Sequence, residues 1–132
     1  MNDESYDLAA ILVTGEVEEL YSGLSVLVSA AADGKRCAAL ASFRALALLL
    51  EPDLARHAQE PEATPSLTWA GRETFGRSLA ELRDTALALD NLTVWACSAS
   101  VETMGLGPEP PLPVMSTPRF LRATAGARLI HV

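Results

Sequence analysis

Apolar residues fill Leu8-Ala9-Ala10-Ile11-Leu12-Val13-Thr14 without alternation, the pattern of a strand covered on both faces, and Gly15 ends it. The period then changes. Val17, Leu20, Tyr21, Leu24, Leu27, Val28 and Ala31 recur at three- and four-residue steps, with Glu18, Glu19, Ser22 and Ser25 on the other side. That spacing predicts an amphipathic helix closed by Asp33-Gly34. A second apolar run from Cys37 to about Ser42 completes a βαβ unit. Phe43 to Leu50 is apolar nearly all round apart from Arg44 and stops at Pro52. A helix without a polar face must be buried on more than one side. Either the following loop or a second subunit covers it, and a subunit interface is the preferred reading.

Residues 51–71 carry Pro52, Pro61 and Pro65 and few periodic apolar positions, which predicts the longest irregular stretch, a lid, an interface arm or a disordered segment, with Trp69 as a candidate anchor. Phe75, Leu79, Leu82, Ala86 and Leu89 mark another amphipathic helix, wet along Glu73, Arg77 and Glu81. Leu92 to Cys97 is a third strand. After Gly105 and Gly107 comes a proline-rich crossover at 108–113, then a helix start at Thr117-Pro118 and a last strand from Arg128 to Val132. Strands alternating with helices predict one α/β domain over residues 1–132, three-layered α/β/α in flavodoxin-like arrangement, around a mostly parallel sheet of four to five strands.

Composition narrows the function classes. The 132 residues are 49% hydrophobic, enough for one core, and carry a net charge of −7 with the acidic residues dispersed. Nucleic acid and anionic membranes need concentrated Lys and Arg, so neither is an expected partner. The acidic opening Met1 to Asp7 lacks the basic region of a signal peptide, and no window has the roughly 18 consecutive apolar residues of a membrane span. A cytoplasmic protein with reduced thiols is the expectation.

Three loops should meet where parallel strands end together: Thr14-Gly15-Glu16, Ser42-Phe43-Arg44 and Cys97-Ser98-Ala99-Ser100. Cys97 falls where a buried strand hands over to a helix, whose unpaired N–H groups favour a thiolate. Arg44 is expected to reach the same edge and add positive charge. The opposing reading is that Cys97 packs as a small hydrophobe, as free cysteines usually do. Cys37 opens its strand about five residues earlier, roughly 16 Å from the edge at 3.3 Å per residue. A disulfide needs Cα atoms within about 7 Å, which argues against a Cys37–Cys97 bridge. Cys97-Ser98-Ala99-Ser100 has no second thiol for dithiol chemistry. His57 and His131 lack metal-ligand spacing, so no metal is expected. No G-x-G-x-x-G or G-x-x-x-x-G-K-[ST] is present, which weakens a nucleotide-binding reading.

The segment Val94-Trp95-Ala96-Cys97-Ser98-Ala99-Ser100-Val101-Glu102-Thr103-Met104-Gly105-Leu106 resembles the cysteine segment of the DsrE/DsrF-like (YchN-like, DsrEFH) sulfur-relay family. The order of Thr14-Gly15, Ala32-Asp33-Gly34, Ser42-Phe43 and the closing Ala125-Gly126-Ala127-Arg128-Leu129-Ile130-His131-Val132 is similar too. This resemblance implies an α/β domain assembling as a homo-oligomer, from dimer to hexamer. It also implies a persulfide on Cys97, passed between sulfur donor and acceptor proteins without a cofactor. Ser98, Ser100, Thr14, Gly15, Ser42 and Arg44 are the candidate thiolate-stabilising or pocket residues. The alternative is a non-catalytic oligomeric interaction subunit of the same fold with Cys97 packed.

Overall fold

The strands are apolar because both faces of the sheet are covered, and their small residues let helices approach closely. The computed structural model describes residues 5–132; most of the acidic opening that argued against a signal peptide lies outside them. In chain order the elements are β1 (Leu8–Leu12), α1 (Val17–Ala32), β2 (Cys37–Ala41), α2 (Phe43–Leu50), α3 (Leu54–Ala58), α4 (Trp69–Ala88), β3 (Leu92–Cys97), α5 (Ser98–Thr103), β4 (Val114–Met115), α6 (Thr117–Ala123) and β5 (Arg128–His131). All five strands are parallel, in the order β4-β3-β2-β1-β5. This is an α/β fold with helices on both faces of the sheet. Among the described residues no helix is long and apolar enough to cross a membrane.

Strand order decides how the helices divide. From β1 to β4 each strand is added on the same side of its predecessor, so right-handed crossovers carry their helices over one face. The connection from β4 to β5 returns past three strands to the opposite edge, which sends α6 across the other face. Packing follows this division. Leu8, Ala10, Leu12, Cys37, Ala39, Ala41, Leu92, Val94 and Ala96 face the core built with α1 to α4, against which Val101 of α5 and its C-cap residue Met104 also lie. Ala9, Ala38, Leu40 and Cys97 face Phe120 of α6, with Tyr6, Ile11, Trp95 and Met115 around them. An edge-on aromatic chain runs through that second core: Tyr6 to Trp95 and Trp95 to Phe120, each 6.2 Å between ring centres.

Three expectations change. Residues 51–71 hold α3, and the helix expected from about Phe75 already starts at Trp69, where the Thr68 hydroxyl accepts from the Gly71 N–H. Five residues are too few to display a helical period, and Gly71 and Gly76 dilute the start of α4. Leu54, Ala58 and Thr64 are fully buried, so this segment is pinned to the core at three points while most of its other residues are exposed. Trp69 is 76% exposed and anchors nothing within its own chain. α2, preferred above as a subunit interface, buries Ala45, Leu46, Leu48 and Leu49 within its own chain. Arg83 of α4 also donates to the carbonyls of Leu49 and Glu51 at 3.0 and 2.9 Å, closing its C-terminus. The missing polar face is thereby explained inside one molecule.

Candidate functional site

β3 ends on Cys97, which is also the N-cap residue of α5. At that position the N–H groups of the second and third helical residues, Ala99 and Ser100, face the cap side chain. The thiol makes no side-chain capping hydrogen bond of normal geometry, so their effect on the sulfur is electrostatic. Burial opposes ionisation of Cys97 and is the largest single influence. The backbone and hydroxyl of Ser100, the Ala99 N–H and the Thr117 hydroxyl together outweigh it, and the thiol lies below its ordinary range. Thr117 Oγ1 is 3.9 Å from Cys97 Sγ. Cys37 behaves in the opposite way: burial, and then the Asp7 carboxylate, push its thiol up. Both cysteines are free, and the β2–β3 register pairs Cys37 with Leu92, at the other end of β3 from Cys97.

Ser100 is completely buried and ties two loops together, since its Oγ accepts the Phe43 N–H at 3.0 Å. Cys97 is 6% exposed, with exposed Ala99 and Thr117 beside it. Next to it Ser98 joins Val101, Glu102, Gly105 and Gly107 in lining an open recess of about 450 Å³. The sulfur thus sits nearly buried beside small residues, in a setting that stabilises negative charge. Such a site suits a thiolate that attacks, or is displaced from, a soft sulfur electrophile.

No protein-family model and no curated protein matches the chain.

The expected residues divide into two groups at the sheet edge. Cys97 and Ser100 come together as expected. Thr14, Gly15 and Arg44 gather two strands away. There the Thr14 hydroxyl accepts the Glu16 N–H at 3.0 Å and donates to the Glu19 carboxylate, which fixes the β1–α1 turn. Arg44 does not supply charge to Cys97, contrary to expectation. Its guanidinium lies against Gly15, where a Cβ would stand 2.2 Å from Nε, and it faces a cleft of about 370 Å³ shared with Glu16, His57, Glu60 and Glu62. The reason is geometric: Arg44 is the second residue of α2, and the first turn carries it toward the β1 loop. Ser42 between the groups is the N-cap of α2 without a side-chain bond. The Ala99 N–H is one of the helix-start donors expected beside the thiol, whereas Thr117 was not among the expected site residues. A β4 strand paired to β3 brings the Ser116-Thr117-Pro118 helix start beside Cys97, and that pairing has only a two-residue signal in the sequence.

Proposed function

We propose that this chain is a cytoplasmic, DsrE-like sulfur carrier in which Cys97 holds sulfane sulfur as a persulfide between a donor and an acceptor protein. The observation that carries the reading is the Cys97 thiol held below its ordinary range at the C-terminal end of a parallel strand, while the other cysteine is pushed the opposite way. In the loading step the Cys97 thiolate attacks the outer sulfur of a donor persulfide, R–S–SH. A Cys97 Sγ–S bond forms, the donor S–S bond breaks, and the electron pair leaves on the donor as thiolate R–S⁻. In the unloading step an acceptor thiolate takes the same sulfur and Cys97 leaves as thiolate. No oxidant, reductant or cofactor enters the balance. The Ser100, Ala99 and Thr117 donors serve both steps, because Cys97 is anionic at the start of one and at the end of the other.

A second reading is favoured by one observation, the 6% exposure of Cys97 among Ala9, Ala38, Leu40 and Phe120: an interaction subunit with a packed cysteine. Intact mass after exposure to a persulfide donor separates the two. The carrier gains one sulfur atom, loses the gain in Cys97→Ser, keeps it in Cys37→Ser, and returns to its starting mass when an acceptor thiol is added. No uptake by the wild type, or uptake that follows Cys37, overturns the carrier.

A further inference from the structure

β5 closes one edge of the sheet, since its strand neighbour among the described residues is β1 alone. In a parallel pair alternate residues turn both N–H and C=O toward the neighbouring strand. Arg128 donates to the Asp7 carbonyl at 3.0 Å and Val132 to the Ile11 carbonyl at 2.8 Å, while the Val132 carbonyl accepts the Val13 N–H at 3.2 Å. Arg128, Ile130 and Val132 therefore serve β1, and the N–H and C=O groups of Leu129 and His131 point out along the open edge. The opposite edge is guarded: β4 is two residues long and follows Pro110, Pro111 and Pro113. β5 has no proline, pairs with β1 in continuous register, and leaves Leu129 52% exposed.

The side chains beside this edge are complementary to one another. Arg128 and Ile130 are in register with Leu8 and Ala10, which places them, with Val132, on the face that α1 covers. There Glu18, Ser22, Gly23 and Val26 of α1 form an open groove of about 510 Å³ together with Ile130 and Val132. Glu18 and Arg128 are both exposed, and among the described residues neither side chain has an ion pair.

We propose that the β5 edge is the docking surface for a second copy of this chain, the two β5 strands pairing antiparallel about a two-fold axis at Ile130. Two five-stranded sheets thereby become one. The free backbone groups set the register. Antiparallel partners exchange both hydrogen bonds at alternate positions, so Leu129 of each copy pairs with His131 of the other and every outward N–H and C=O is used. Ile130 then opposes Ile130, and Arg128 opposes Val132, at the closely spaced positions between those bonds. These residues all lie on the α1 face, as opposed residues must. Val132 itself packs against Gly23, where a Cβ would stand 3.1 Å from Val132 Cγ1. The stem of the incoming Arg128 is laid over Val132 and enters the groove, and its guanidinium meets Glu18. The axis repeats that pair on the other side. The carrier reading requires no particular assembly, so this inference stands apart from it.

The test is sedimentation of the full chain across the micromolar range. The wild type is expected to form a dimer. Arg128→Glu and Glu18→Arg should each weaken it about tenfold or more, because like charges replace two symmetric pairs. The double variant exchanges the two charges and should recover to within about threefold of wild type. Leu129→Pro removes an N–H that β1 does not use, at an edge position that tolerates proline, and should also weaken the dimer about tenfold or more. A wild type that stays monomeric throughout overturns the proposal. So does a dimer unmoved by folded Leu129→Pro, or a double charge variant no better than either single one. If Leu129→Pro does not fold, the charge exchange decides. Sulfur uptake is read separately by intact mass: a monomer that takes up sulfur loses this interface and keeps the carrier, and a dimer that takes up none does the reverse.

Discussion

At the residue scale two thiols are pushed in opposite directions by their surroundings. The lowered Cys97 thiol binds fewer protons in the folded than in the unfolded chain from its own pKa up to the ordinary value of 9.0. Folding stability contributed by Cys97 therefore rises with pH across that window and is lost as pH falls through the folded pKa. Cys37 runs the other way, its stability contribution being lost as pH rises beyond 9.0. Urea midpoints of wild type and Cys97→Ser between about pH 6 and 9 check the first statement. Their difference should change in favour of wild type with rising pH, and a difference independent of pH contradicts it. Cys97 and Ser100 were legible in the sequence because an apolar run ending beside small polar residues marks a strand handing over to a helix. Phe43 was not: nothing in its neighbours signals a positive φ or an N–H that bonds to a residue 57 positions away.

At the element scale two glycines make close contacts of different rigidity. A Cβ on Gly76 of α4 would meet the Ala55 carbonyl oxygen at 2.4 Å. Backbone of α3 cannot turn aside, so Gly76→Ala should destabilise by about 1–3 kcal/mol, the range for overpacking, read as a lower melting temperature. A Cβ on Gly15 would meet only the end of the Arg44 side chain, which is exposed and free to rotate. Gly15→Ala should change stability by no more than about 0.5 kcal/mol; a larger loss would show that Arg44 is held in place. The same contrast explains which elements were readable. α1 announces itself through a four-turn apolar stripe ending at Asp33-Gly34. α3 buries only Leu54 and Ala58, and two residues define no period. α2 was recognised as a helix, while its burial was assigned to a second subunit because Arg83, 34 positions from Leu49, had no visible tie to it.

At the scale of the whole molecule the two faces of the sheet are unequally covered. Five helices serve one face, while the seven residues of α6 cover the face on which Cys97 lies. Phe120 is the fully buried side chain that α6 contributes. Phe120→Ala should cost about 3–5 kcal/mol and speed alkylation of Cys97 by opening the cluster that contains both. A smaller cost, or an unchanged rate, would show that α6 does not close this face. The parallel α/β architecture was legible from the alternation of runs. The division of helices was not, since it depends on the return of the chain from β4 to β5, signalled only by a proline-rich crossover and a short strand. If Cys97 is an acidic, reachable nucleophile, site-resolved alkylation of the native wild-type protein against pH will show it. Cys97 should react well below the pH at which Cys37 does, with a midpoint under the ordinary 9.0. Equal protection of both cysteines until the protein unfolds would contradict it.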